Sequence, residues 1–319
     1  MHIQIVGLHA PNAPRLRALL GPGHEVEALQ AFPESGAIHS DVVISNSISA
    51  DEAARLRCRL VHVPGAGWEQ IACPSLPSGT TVCNVHGHEV PIAEFTLHAI
   101  LEHCLQLWQY PARLDAPAWA QAYADRAQHE EAHGKTLAIV GFGHIGQEIA
   151  RRTRAFGMHV IAVTRSGKQG SAELANEFIA VSTLDDVLPR IQCLVICCPL
   201  DDSTRGLIGA RQLALLPAQS LLVNVARAEV VDEQALYEAL CNKPLARAAL
   251  DVWYQYPKKD QAPVNPSRWP LHELPNVRAT PHISAITPAL LDRRYRFMAQ
   301  NIERLQQRQP LLNVIYQAP

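Results

Sequence analysis

The most informative spacing in the chain is Gly141-Phe-Gly143-His144-Ile145-Gly146, which follows the apolar run Thr136–Val140. A G-x-G-x-x-G string after a strand and at the start of a helix is suited to holding a pyrophosphate. Gly141 makes the tight turn, Gly143 lets the backbone approach the phosphates, and Gly146 allows close helix–strand packing. The N–H groups of His144 and Ile145 then point at phosphate with the helix dipole behind them. The next apolar run, His159–Val163, leads into Thr164-Arg165-Ser166 and carries no carboxylate. A site made for NAD(H) places Asp or Glu about 20 residues after the glycines, to bond the ribose 2′-hydroxyl. Here Arg165 could instead pair with a 2′-phosphate, with Thr164 and Ser166 donating to it. The expected cofactor is therefore NADP(H), with NAD(H) possible if Arg165 merely stacks on adenine.

Other reactive residue types give weaker signals. None of the eight cysteines forms a C-x-x-C pair, so zinc ribbons and dithiol redox sites are not expected. Cys193, Cys197 and Cys198 lie in an apolar run, where cysteine behaves as a small hydrophobe. Of fifteen histidines, His86 and His88 stand out in Cys83-Asn84-Val-His86-Gly87-His88-Glu89. They could meet an anionic substrate; as metal ligands with Glu89 they lack a clear third partner, and no metal is expected.

The surrounding composition is that of a globular protein. The 319 residues are 48% hydrophobic and 18% charged, with a formal net charge of −2. That balance argues against a nucleic-acid or anionic-membrane partner. No apolar run approaches a membrane span, and the start does not resemble a signal peptide, so a cytoplasmic location is expected.

Short apolar runs alternate with helical patterns. Ile3–Leu8, Val26–Leu29, Val42–Ser45 and Leu60–Val63 form one series of strands. Thr136–Val140, Val160–Thr164, Phe178–Val181, Cys193–Cys198, Leu221–Val225, Ala248–Val252 and Val277–Ala279 form a second. Strand–helix alternation predicts parallel sheets. The fold class is thus α/β with two doubly wound domains, a Rossmann dinucleotide-binding domain inserted in a flavodoxin-like substrate domain. Residues 1–104 and 286–319 are expected to form the substrate domain and 105–285 the nucleotide domain. The join falls in the helix Ile92–Tyr110, ended by Pro111, and the last helix, Pro288–Gln307, returns to the first domain.

Three further segments follow apolar runs: Asn224-Val-Ala226-Arg227-Ala228, Ala249-Leu-Asp251-Val-Trp253 and Thr280-Pro281-His282-Ile-Ser284. With the glycine string and Cys198-Pro199-Leu-Asp-Asp-Ser-Thr204-Arg-Gly-Leu-Ile208, they make the chain similar to the D-isomer-specific 2-hydroxyacid dehydrogenases. Glyoxylate/hydroxypyruvate reductases and formate dehydrogenases are members of that family. The resemblance implies hydride transfer between the nicotinamide cofactor and a small 2-oxo acid or D-2-hydroxy acid. It implies Arg227 as the substrate-binding arginine and His282 as the acid/base. The chemistry agrees, because a guanidinium holds a carboxylate bidentately and imidazole titrates near neutral pH. It also implies cofactor contacts from Cys198, Pro199, Thr204, Ala226 and Asp251, a nicotinamide site between the domains, and a homodimer. Substrate contacts are expected from Gly65, Ala66 and Gly67 as a backbone anion nest, and from Asn84, His86 and His88.

The chain departs from the family pattern in places. Ala228 stands where Gly usually follows the arginine, a mild change unless φ > 0 is needed. More seriously, Tyr256 occupies the position of the Glu or Gln that partners the histidine, with Gln255 one place earlier. Neither can stabilise imidazolium as a carboxylate does. One outcome is an active enzyme with a more acidic optimum for reduction, Tyr256 joining Arg227 and His282 in the catalytic group. The other is a catalytically impaired protein that senses the dinucleotide and signals through a partner.

Overall fold

A computed structural model describes residues 1–110, 113–168, 170, 172–242, 245–257 and 262–319. The chain divides into two units: Met1–Gly87 with Thr287–Pro319, and His88–Ile286. The first break falls at Gly87/His88, earlier than expected at residue 104, because the helix Glu89–Leu105 buries Ile92, Ala93, Ile100 and Cys104 in the core of the second unit. Pro111, expected to end that helix, lies outside the described residues.

The first unit is built on a six-stranded sheet. Its order is Val314–Gln317, Thr81–Cys83, Leu60–His62, Val42–Ile44, His2–Val6 and Glu25–Leu29. In chain order its five parallel strands read 2-1-3-4-5, the doubly wound order of flavodoxin. The central strands are buried on both faces, which explains their continuous apolar character. The edge strand Val314–Gln317 pairs antiparallel with Thr81–Cys83, a strand absent from the sequence reading. The C-terminal helix Pro288–Gln306 belongs to this unit.

A buried polar group fastens that helix to the sheet. His62 is fully buried. Its Nδ1 lies 3.2 Å from the Val63 carbonyl, and Asn301 donates to its Nε2 at 3.1 Å. Asn301 also bonds the N–H and carbonyl of Leu312. Burial pulls the His62 imidazole down to about 4. A histidine held neutral in the fold but free to charge when unfolded stabilises the protein above pH 6.5. That contribution falls by about 1.4 kcal/mol per pH unit below 6.5, until the folded group itself titrates near pH 4. Thermal melts of wild type and His62→Gln between pH 7 and 4.5 check this. The variant should start lower but lose less with acid, and parallel acid slopes in the two proteins would refute the assignment.

The second unit carries a seven-stranded parallel sheet. Its order is Glu177–Ala180, His159–Thr164, Thr136–Val140, Cys193–Ile196, Leu221–Asn224, Arg247–Leu250 and Val277–Ala279. The winding reverses between Thr136–Val140 and Cys193–Ile196. Ligands of open α/β sheets bind outside the carboxyl ends of strands at such a switch point. The cysteines of this region are core residues. Burial pushes the thiols of Cys193 and Cys197 up, and that of Cys198 up to about 11, which disfavours a nucleophilic thiolate. Among the described residues no helix is long and apolar enough to cross a membrane.

Candidate active site

At the switch point the glycine string has two positions where any side chain would collide. Gly141 has φ of +95°, and a Cβ there would lie 2.5 Å from the Cys198 nitrogen. A Cβ at Gly146 would lie 2.3 Å from the Gly141 carbonyl oxygen. Gly143 has open space around it and caps the helix His144–Ala155, whose first N–H groups include those of His144 and Ile145. A backbone this close to its neighbours, with clear space at Gly143, fits a pyrophosphate against the helix N-terminus.

A cavity of about 290 Å³ adjoins this turn, lined in part by Gly141, Thr164, Arg165, Pro199, Asp201 and Thr204. The hydroxyl of Thr164 is buried and has no hydrogen-bond partner among the described residues. A buried hydroxyl without a partner costs free energy, and Thr164 lines the cavity beside the glycine turn, so the residues fit an adenosine moiety. Arg165 is exposed and pairs with Asp201, Nη2 to Oδ2 at 3.2 Å. Ser166 accepts from the Lys168 N–H through its hydroxyl. The Thr204 hydroxyl donates to the Pro199 carbonyl and accepts from the Asp201 N–H, each at 2.8 Å, so it holds its loop together.

Arg227, Tyr256 and His282 come from the carboxyl ends of three neighbouring regions of the same sheet. Arg227 has an extended backbone (φ −138°), and its carbonyl accepts from the Asn224 side chain at 3.0 Å. The same side chain accepts from the Ala226 N–H. The Arg227 side chain is exposed, and its Nη1 donates to the Ala226 carbonyl at 2.7 Å. Ala228 has no positive φ, so the loss of glycine there carries no conformational cost.

His282 is held in a conformation uncommon for a residue with a side chain, φ +59°. Such positions persist when surrounding bonds over-determine them. The brace is Asp251, only 1% exposed. Its Oδ1 accepts from the Thr280 hydroxyl at 2.7 Å and the Ile283 N–H at 2.8 Å, and its Oδ2 from the Ser284 N–H at 3.0 Å. The Trp253 indole adds a bond to the Thr280 carbonyl at 2.8 Å. Singled out from sequence as a nicotinamide contact, Asp251 has both oxygens engaged by the turn that carries His282. Its partners lie about thirty residues away, so only the parallel pairing of Arg247–Leu250 with Val277–Ala279 brings them together.

The Tyr256 hydroxyl lies 2.9 Å from His282 Nδ1 and accepts from the Trp253 N–H at 3.1 Å. With that acceptance made, its own proton is available to Nδ1, which leaves the imidazole hydrogen on Nε2. Burial pushes the phenol up from its ordinary value, while the Trp253 bond and the Arg227 charge pull it down. Tyr256 is therefore a neutral partner at physiological pH and feels the field of Arg227.

In the first unit, Asn84 is buried and donates to the Ala66 carbonyl at 2.8 Å, pinning the Gly65–Gly67 loop. None of the N–H groups of Gly65, Ala66 and Gly67 donates a hydrogen bond among the described residues. The His86 carbonyl accepts from Arg294. His88 precedes the helix Glu89–Leu105, its Nδ1 3.8 Å from the Glu89 carboxylate. Among the described residues no group of three His, Cys, Asp or Glu could hold a metal ion.

Residues 97–284 match the family model described as D-isomer specific 2-hydroxyacid dehydrogenase, NAD binding domain. Hydroxypyruvate reductase of Thermotoga maritima is 33% identical over 268 residues, 82% of this chain and 81% of that protein. D-3-phosphoglycerate dehydrogenase of Methanocaldococcus jannaschii is 34% identical over 198 residues, 62% of this chain and 36% of that protein. The chain spans about half, or less, of the length of this and several other relatives it matches. Among solved structures, the NADPH-dependent glyoxylate/hydroxypyruvate reductase of Sinorhizobium meliloti, in complex with NADP and sulfate, shares the fold with a TM-score of 0.75. It is 24% identical, and the match covers 99% of this chain and 98% of that one. Glycine cradle, braced histidine turn and arginine strand end thus sit on the fold of these proteins, and the chain belongs to the D-isomer specific 2-hydroxyacid dehydrogenase family.

Proposed function

We propose that the protein reduces a small 2-oxo acid to its D-2-hydroxy acid with NADP(H), or with NAD(H) less favourably. The observation that carries the reading is His282, locked by Asp251 and hydrogen-bonded to Tyr256, in the same unit as an intact phosphate cradle and Arg227. Gly141, Gly143, Gly146 and the first N–H groups of the following helix would hold the pyrophosphate. Thr164, Arg165 and Ser166 would face the 2′-phosphate. The dinucleotide, when bound, supplies the hydride. Arg227 offers two parallel N–H donors to the carboxylate and carbonyl of a 2-oxo acid, drawing electron density toward the oxygen. His282, arriving as imidazolium, gives its Nε2 proton to that oxygen as negative charge develops there and keeps its Nδ1 hydrogen toward the Tyr256 oxygen. In the first unit, the N–H groups of Gly65–Gly67, unused among the described residues, are suited to a carboxylate.

We also assign the protein to homodimers. The helix Ala116–Asp125 buries none of its residues, and Trp119 and Tyr123 are more than half exposed, an apolar face that a second copy would cover. A single-chain mass in sedimentation would exclude this.

The test of function is steady-state oxidation of NADPH and NADH with glyoxylate, hydroxypyruvate and pyruvate. Turnover of at least one is expected, with NADPH preferred. Tight NADPH binding with no turnover across the panel would favour a dinucleotide-sensing protein, the reading that the neutral Tyr256 partner keeps open.

A further inference from the structure

The strand His159–Thr164 ends without the acid that would accept a ribose 2′-hydroxyl, yet a carboxylate stands beside it. Asp201 arrives from the loop after Cys193–Ile196, 36 residues along the chain from Arg165. Its two oxygens have separate tasks. Oδ1 accepts from the Ser203 N–H at 2.9 Å, the Ser203 hydroxyl at 2.6 Å and the Thr204 N–H at 3.1 Å. Oδ2 is left to the Arg165 guanidinium at 3.2 Å. The loop therefore fixes the carboxylate, and the exposed arginine side chain comes to it. Both residues line the cavity with Thr164.

We infer that Asp201 sets how strongly this site discriminates NADP(H) from NAD(H). The inference rests on the proposed placement of the adenosine end in that cavity. A 2′-phosphate carries about −1.5 to −2 charges at pH 7. To engage Arg165 it must compete with a carboxylate already paired to the guanidinium and must bear that carboxylate's repulsion. A 2′-hydroxyl meets the opposite situation. It is neutral and can donate to Asp201, which then performs the task that Asp or Glu at the strand end performs in NAD sites. Asp201 thus restrains the NADP(H) preference that Arg165 confers and lets the site accept NAD(H).

Asp201→Asn tests this with little risk to the fold, because the amide oxygen can still accept the Ser203 and Thr204 N–H bonds. The dissociation constants of NADPH, NADH and 2′,5′-ADP are measured by calorimetry on the full chain at fixed ionic strength. Wild type should bind both dinucleotides. In the variant, NADPH and 2′,5′-ADP should tighten by about 10-fold, the effect of roughly 1.4 kcal/mol, while NADH should weaken or stay level. Asp201→Ser, also uncharged, should shift the ratio the same way. An unchanged NADPH-to-NADH ratio in both variants would overturn the inference and leave the cofactor site itself standing. Failure of wild type to bind either dinucleotide would remove both.

Discussion

Arg227→Ala is expected to lower kcat/KM for any 2-oxo acid by about 10²–10⁴ while the dissociation constant of NADPH stays within a factor of two. The magnitude follows from what the guanidinium would hold. A hydrogen bond to a charged group contributes about 1.5–3 kcal/mol, and a bidentate pair therefore about 3–6, with 1.36 kcal/mol per tenfold in rate. The fold should tolerate the change. The side chain is exposed, it donates to the adjacent carbonyl of Ala226, and the extended backbone suits alanine. The strand end is held by Asn224, not by the arginine side chain. Arg227→Lys separates charge from geometry, because an ammonium offers a point charge where the fork is planar. It should recover only a small part of the loss, mainly in KM. Near-normal turnover by either variant would remove Arg227 from its role. Loss of NADPH binding would instead show that it supports the nucleotide site.

The parts of this molecule that were legible in its sequence share one property: their cause is local. Parallel strands buried on both faces read as apolar runs, so Thr136–Val140, Cys193–Ile196 and Leu221–Asn224 were visible. The glycines were legible because a collision at Gly141 or Gly146 permits no alternative. Thr81–Cys83 and Val314–Gln317 were missed because each is short and gains its pairing from a distant segment. The unit boundary was misplaced because nothing in the composition of Glu89–Leu105 says which core it fills. Asp201 lies in the run Cys198–Ile208, where residue type alone gives it no task. Its meeting with Arg165 depends on two loops from different strands, and no spacing rule foretells it. Tyr256 could be singled out as a substitution, whereas its bond from Trp253 and its bond to His282 needed the folded turn.

His282→Asn should reduce kcat by roughly 10²–10⁴, the usual contribution of a positioned general acid. Asparagine is the conservative choice, since it tolerates the left-handed backbone at this position. The more discriminating variants are at Tyr256. In reduction the imidazole must arrive charged to give up a proton, so activity declines as pH rises through the range in which the acid loses it. In the charged state Nδ1 carries hydrogen and donates to the Tyr256 oxygen, 2.9 Å away. A neutral phenol stabilises that imidazolium less than a carboxylate would. Tyr256→Glu places an anion beside the ring, which favours the charged imidazole. The alkaline limb of the reduction profile should therefore shift to higher pH, and the reverse oxidation, which needs neutral imidazole, should lose activity at its acid end. Tyr256→Phe should leave the limb at or below its wild-type position and lower kcat, because Nδ1 loses its partner and the Trp253 N–H its acceptor. A side chain at position 256 that did not reach His282 would change kcat in both variants and move neither limb. Coincident pH profiles for wild type and Tyr256→Glu would show that the phenol does not govern the proton on His282.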